Sequence, residues 1–242
     1  MRSRQSRTPS FWSKECLRVS IVSSSVHCIR PLGGFGASQL NSLNDFSEAF
    51  EARPEDGGAI VNMLCDAFLN DPLMCYIYPD AANRSDRLRS FFAILHRGAV
   101  RYGAVYATAG TEAATLWRAP GHSQMSLIET LREGRQWIRA TRSALPRALS
   151  VSSAADANHP AAPHWYLQVA GCEPQHQSKG YGSSAVRAGI ARATSEGMPC
   201  YLETAVPDNI SIYQRLGFSV SREWTIRSGM KFWGMWRPCD KG

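Results

Sequence analysis

The stretch that most restricts how this chain folds runs from residue 164 to residue 206. The apolar run HWYLQVAG leads into Cys172-Glu173-Pro174, and a polar segment, QHQSK, follows. Gly180 and Gly182 then open YGSSAVRAGIARATSEG, whose apolar residues recur at helical spacing and which closes on Gly197. PCYLETAV comes next and reads as another strand. Strand, glycine-rich turn, helix and strand in that order belong to an α+β or α/β domain, with helices laid against a sheet.

Two glycines at a helix start suggest a loop that cradles phosphates. Gly180-Tyr181-Gly182-Ser183-Ser184-Ala185 fits the dinucleotide fingerprint, and Glu203 lies about 20 residues on, where a ribose-binding acid is expected. The fit fails elsewhere. The fingerprint needs its first glycine directly after the strand, whereas CEPQHQSK with Pro174 intervenes, and only about 40 residues follow Glu203, too few to finish a doubly wound sheet. A P-loop is excluded because no Gly-Lys-Ser/Thr follows the glycines. What remains is an anion site of another kind. The backbone N–H groups of Ser178 to Gly182 converge at a helix N-terminus, where unsatisfied donors and the dipole favour a pyrophosphate. Gly180 and Gly182 remove the Cβ atoms that would obstruct its approach, and Lys179 adds a charge.

Gln177, Gly180 and Gly182, preceded by the turn at Pro174, resemble the acyl-CoA loop of the GNAT acetyltransferase superfamily, whose pattern is Gln/Arg-x-x-Gly-x-Gly/Ala after a strand. A second match follows at that family's spacing: Leu202-Glu203-Thr204, Asn209, Tyr213 and Leu216-Gly217-Phe218. Further back, AFLNDP, YPD, TLWRAPG and HPAAPHWYL look like the branch that contains puromycin N-acetyltransferase. The resemblance spans about residues 46 to 237. Ser178 stands where many relatives carry glycine, and Cys172 where they usually carry valine; both positions act mainly through backbone.

The resemblance implies a mixed central sheet flanked by helices, with a V-shaped acyl-CoA slot between strands near 164–171 and 200–206. It implies acetyl-CoA as co-substrate, no metal, and transfer of the acetyl group to a primary amine of a small molecule by direct attack. A peptide or protein amine, and a non-catalytic acyl-CoA sensor of the same fold, are the alternatives. The pantetheine arm would lie against the backbone of Val169, Ala170, Gly171 and Cys172, and the N–H of Cys172 would face the thioester oxygen. Gln177, Ser178, Lys179, Gly180, Tyr181 and Gly182 would hold the pyrophosphate. Tyr213 is expected to protonate the departing thiolate or else to pack beside Leu216. Glu203 is the candidate base, or an orienting carboxylate; Asn209 serves the cofactor or caps the helix after the strand. Cys172 without a placed histidine is a small strand residue rather than a nucleophile. Trp117, Trp165 and Tyr166 are read as core rather than as acceptor pocket.

The rest of the chain supports one domain of about 200 residues. AFEAR (49–53) is a short strand; Pro54, Glu55 and Asp56 form a first helical turn, with Ile60, Met63, Leu64, Ala67 and Phe68 on one face until Asp71-Pro72. Leu88, Phe91, Phe92 and Leu95 mark a second helix that Gly103 closes. AVYATA and AATLWRA form a hairpin, residues 123 to about 156 are helical with an interruption at Pro146, and SSAADANHPAAP is a connector. The helix from Asp208 stops at Gly217, and SVSREWTI and MKFWGMW form a last hairpin.

The formal net charge of +7 points less to nucleic acid than it first suggests. Arg2, Arg4, Arg7, Lys14, Arg18 and Arg30 against Glu15 place +5 of it before Leu43, leaving about +2 for the rest, whereas a nucleic-acid reader carries its charge on a folded face. Residues 1–44 read as a disordered extension, a targeting segment or an overextended start. The seven cysteines, Cys16, Cys28, Cys65, Cys75, Cys172, Cys200 and Cys239, contain no CxxC pair and are expected as free thiols in a reducing, cytoplasmic setting. No apolar run reaches the ~20 residues of a membrane helix. The six histidines lack ligand spacing, and Pro160 and Pro163 deny His159 and His164 one helical face. No nucleic-acid or membrane partner is expected, and the protein is expected as a monomer or homodimer.

Overall fold

In a computed structural model, which describes residues 48–239, the apolar stripe of Ile60, Met63, Leu64, Ala67 and Phe68 is buried on helix α1 (Gly57–Phe68), behind a 3-10 turn at Pro54–Asp56. The reading of residues 1–44 lies outside the described residues. Asp71 does more than end α1. Its carboxylate accepts from the backbone N–H groups of Leu73 and Met74 and so caps a further short helix, α2 (Pro72–Ile77), which the sequence reading had not placed. Asp80 caps α3 (Ala81–Tyr102) in the same way.

Among the described residues, seven strands form one sheet in the order β1-β2-β3-β4-β5-β7-β6. They are β1 (Ala49–Glu51), β2 (Gly103–Thr108), β3 (Ala113–Arg118), β4 (Trp165–Cys172), β5 (Cys200–Thr204), β6 (Ser219–Thr225) and β7 (Lys231–Arg237). All neighbours are antiparallel except β4 and β5. Helices α7 (Tyr181–Ser195) and α8 (Asp208–Arg215) follow β4 and β5. The helical region after residue 123 divides into α4 (Leu127–Arg132), α5 (Gly134–Thr141) and α6 (Leu145–Asn158). Pro146 does not break a helix there; it occupies the first turn of α6, where its missing N–H costs nothing. The supposed connector is helical as far as Asn158, with Ser152 and Ala155 buried.

Side-chain alternation divides the core into two layers. Ala114, Leu116 and Val169 face α1 and α3 and join their apolar stripes. Trp117, Leu167, Ala170 and Leu202 join Val186 and Ile190 of α7 and Tyr213 of α8. The terminal hairpin closes through Gly229 at φ +87°, and Trp224 stacks on Phe232 across it with ring centroids 5.7 Å apart.

Candidate active site

β4 and β5 pair in parallel only as far as Leu167↔Leu202. β4 then runs on to Cys172 and β5 to Thr204 without further pairing to each other. The split begins beside Gln168, the extra residue of a bulge where Leu116 pairs with Val169 but Trp117 pairs with Leu167. Beyond the bulge β4 remains paired with β3 on its other side, through Val169, Ala170, Gly171 and Cys172. The N–H of Glu173 is bonded to Glu112 of that hairpin at 2.7 Å. Because backbone polar groups alternate along a strand, those of Cys172 and Ala170 then point the other way, into the gap. The expected slot is therefore built as expected, with the Cys172 N–H directed into it.

The loop that follows has the backbone of an anion cradle. A 3-10 turn at Pro174–His176 carries the chain to Gln177, whose side chain donates to the Cys172 carbonyl at 3.4 Å. Ser178 has φ +64° and Gly180, the N-cap of α7, has φ +93°. The left-handed conformation at 178 accounts for the glycine that relatives carry there. Gly180 needs its freedom for φ rather than for internal space, since a Cβ at this position would meet no atom within 4 Å. The N-terminus of α7 has no side-chain cap and no acid in its first turn, where Tyr181 and the buried Gly182 lie, and Lys179 is exposed beside it. These are the conditions under which a helix start takes an anion.

Two buried ionisable side chains lie beyond the point of parting in the chain, Glu203 on β5 and Tyr213 on α8. Glu203, 1% exposed, shares its face with Tyr201, whose hydroxyl donates to Glu203 Oε1 at 3.2 Å. Burial and the neighbouring carboxylate push Tyr201 well above the ordinary phenol range, so its hydroxyl remains a donor. Gly234 lies opposite Glu203 in β7, and a Cβ there would come to 2.5 Å from the Tyr201 hydroxyl. Tyr213 is buried on the α7/α8 face and packs edge-on against Phe218, centroids 5.9 Å apart. Gly217 at φ +88° ends α8 with Phe218 N–H bonded to Tyr213 C=O at 3.0 Å, the Schellman closure that anchors the tyrosine. Pro207, not Asn209, occupies the N-cap position of α8, with no side-chain cap hydrogen bond, and the buried Asn209 side chain donates to Thr204 Oγ1 at 3.4 Å.

Cys172 is 1% exposed and burial pushes its thiol up to about 11, which fits a packed strand residue and not a nucleophile. Trp117 and Trp165 are core, as expected. The Trp117 indole donates to Thr115 Oγ1 at 3.0 Å and that of Trp165 to Glu196 at 2.8 Å. Tyr166 is core as well, 0% exposed, and lies on the Glu203 face beside Tyr201 with centroids 6.0 Å apart. His159 and His164 also stand there, a meeting the sequence did not signal. The prolines between them exclude a shared helix face but permit a turn, which brings the two Nε2 atoms to 3.1 Å and His159 Nδ1 to 3.5 Å from Glu203 Oε1. No short-range pattern announces that meeting; the one local hint was the pair of histidines set just before a central strand. A separate cavity of about 700 Å³, lined by Gly57, His96 and Arg101 among others, opens between the start of α1 and the end of α3; it contains none of the loop residues.

The sequence profile of the acetyltransferase (GNAT) family matches residues 137–218. An uncharacterized N-acetyltransferase of Schizosaccharomyces pombe is 27% identical over 167 residues, covering 64% of this chain and 67% of that protein. A crystal structure described as histone acetyltransferase HPA2 and related acetyltransferase, from Corynebacterium glutamicum, superposes with a TM-score of 0.60 at 26% identity, over 81% of this chain and 97% of the other. Arylalkylamine N-acetyltransferase 2 of Aedes aegypti shares the fold alone, with a TM-score of 0.54 at 10% identity, over 78% and 96% of the two chains. Parted central strands, a glycine-capped helix start and these likenesses define an acyl-CoA-dependent N-acetyltransferase. These likenesses support membership of the GNAT superfamily.

Proposed function

We propose that this enzyme moves an acetyl group from acetyl-CoA to a primary amine of a small molecule by direct attack within a ternary complex. The observation that carries the reading is the gap beyond Leu167 and Leu202, with the buried carboxylate of Glu203 on β5 and the buried Tyr213 on the helix that follows it. The amine approaches from the Glu203 face and the thiolate departs toward Tyr213. Val169, Ala170, Gly171 and Cys172 offer backbone to the pantetheine arm, and the Cys172 N–H faces the thioester oxygen, where a fixed dipole stabilises developing charge. Gln177, Ser178, Lys179, Gly180, Tyr181 and Gly182 hold the pyrophosphate, and Asn209 fixes the turn between β5 and α8. Holding both substrates in line supplies about 7–11 kcal/mol without a covalent intermediate.

The enclosed, aromatic surroundings of Glu203, with Tyr166, Tyr201 and Trp236 about it, support a small acceptor over a protein surface. So do the segments that look like the puromycin N-acetyltransferase branch. The likeness to a structure described as a histone acetyltransferase favours the second reading, a peptide or protein amine. A thiol-release assay with acetyl-CoA separates them, run over aminonucleosides, polyamines, arylalkylamines, amino acids and short peptides. Turnover of small amines, with peptides inert, is the expected result. Peptide turnover alone establishes the second reading, and acetyl-CoA binding without turnover of any amine overturns both.

A further inference from the structure

His159 follows the last residue of α6, and the segment 160–163 returns the chain so that His164 directly precedes β4. The His159 side chain is 4% exposed and that of Glu203 2%. His164 Nδ1 lies 2.7 Å from the Ala162 carbonyl, His164 Nε2 lies 3.1 Å from His159 Nε2, and His159 Nδ1 lies 3.5 Å from Glu203 Oε1. Each element packed about this row contributes a group. From β4, Tyr166 meets the His159 ring edge-on at 5.0 Å, and from β5, Tyr201 does the same at 5.0 Å. From β7, Trp236 lies 5.6 Å from the His164 ring. On α6, the Asp156 carbonyl accepts the His159 backbone N–H at 3.4 Å. From β6, the Arg222 charge acts on Tyr201.

The protons along this row are fixed by elementary chemistry. A carbonyl only accepts, so His164 carries its proton on Nδ1. Burial pushes His164 down to about 4, so at neutral pH its Nε2 is a bare lone pair and accepts from His159 Nε2–H. His159 is thereby left with Nδ1 as the atom that can gain or lose a proton, and that atom faces Glu203.

We propose that Ala162, His164 and His159 form a positioning relay that sets where Glu203 keeps its proton; this rests on Glu203 acting as the amine-side base. As the amine nitrogen bonds to the acetyl carbon, the thioester C–S bond breaks with its electron pair going to sulfur, which takes a proton from Tyr213 (restored later from water), while the amine N–H bond breaks and its proton passes to the Glu203 carboxylate. It is then shared with His159 Nδ1, forming an imidazolium–carboxylate pair, while Nε2–H stays bonded to His164. The pair returns the proton to water as the amide leaves. His164 keeps the receiving nitrogen aimed at Glu203.

Nitrogen-15 NMR of histidine-labelled, unmodified protein tests the tautomers without relying on any variant to fold. The expected spectrum shows His164 protonated at Nδ1 and bare at Nε2 from pH 5.5 to 8, and His159 titrating differently once E203Q removes the carboxylate. Kinetics with H159Q and H164Q supply the second reading. Each should displace the acid limb of kcat/KM by at least about one pH unit and lower kcat about tenfold or more, below the range for a lost acid–base group itself, with acetyl-CoA Kd within about twofold of wild type. An Nε2–H tautomer at His164, or an unmoved acid limb in both variants while E203Q is inactive, overturns the relay. Full turnover by E203Q overturns the base assignment instead, and the His159 titration in that variant still decides whether the two groups share a proton.

Discussion

Ser178 shows how a single residue can be legible in sequence yet unexplained until its backbone is seen. The departure from glycine is plain from the alignment of spacing alone, whereas the strain behind it, φ +64°, is not. Ser178→Gly should relieve a left-handed serine worth about 1 kcal/mol and lose a similar amount through a freer unfolded chain. Its urea midpoint should therefore stay close to wild type, with acetyl-CoA affinity retained. Gly182→Asp should do the reverse to the cofactor, placing volume and negative charge at the α7 start where an anion is favoured; calorimetric titration with acetyl-CoA should show binding lost. Tyr213→Phe keeps the ring that packs on Phe218 and removes only the hydroxyl that the proposed mechanism uses as charge builds on sulfur. We expect kcat and kcat/KM to fall together by at least ~100-fold, with acetyl-CoA affinity nearly intact, in a single-turnover assay where chemistry limits the rate. Tyr213, Glu203 and the loop glycines were legible as candidates because the family resemblance rests on motifs that each lie within one strand–turn–helix unit. His159 and His164 were not, because their meeting depends on a turn through two prolines and on a strand about 40 residues away.

Among the elements, α7 carries a glycine where helix propensity argues against one. Gly189 is buried, and a Cβ there would overlap the Trp117 indole. Alanine in an ordinary helix interior gains about 1 kcal/mol over glycine. Here overpacking should win, and Gly189→Ala should lower stability by about 1–3 kcal/mol in urea denaturation. α4 is held by a different device. Arg118, 1% exposed at the end of β3, donates to both oxygens of Glu129 at 2.8 Å and to the His122 carbonyl at 2.8 Å. Gly98 of α3 leaves room for that pair, since a Cβ there would overlap the guanidinium. Glu129→Ala strands a buried guanidinium and should cost about 3–5 kcal/mol, read as a lowered melting temperature. Strong periodicity made α1, α3 and α7 plain in the sequence. The helix α2 escaped notice because Asp71-Pro72 ends one helix and starts another, and a six-residue helix has too few turns to display a period.

At the scale of the whole molecule, buried histidine links stability to pH. His164 is 3% exposed and its folded-state value is about 4, below an unfolded value of 6.5. The unfolded chain therefore binds more protons as pH falls through 6.5, and stability that is complete above that point is lost progressively down to 4. A shift of this size amounts to about 3 kcal/mol at the acid end. His96 is displaced in the same direction by burial and adds to the slope. Urea midpoints at pH 7 and pH 5 should show the wild-type loss, and His164→Gln should flatten it to the part that His96 retains. A pH slope unchanged by that substitution would mean that His164 is not buried neutral in solution.

The early parting of β4 from β5 gives the sheet two edges in its interior, hidden between α1, where Leu64 meets Gly171, and α7, where Ala185 meets Cys172. Unpaired strand edges are where foreign chains attach; these are open only to something as thin as a single extended arm. Whatever fills the gap also binds the folded chain alone, and at a hundredfold excess over Kd that is worth about 2.7 kcal/mol of folding stability. Under the proposed function that filler is acetyl-CoA, and saturating acetyl-CoA should raise the melting temperature and slow proteolysis of the folded chain.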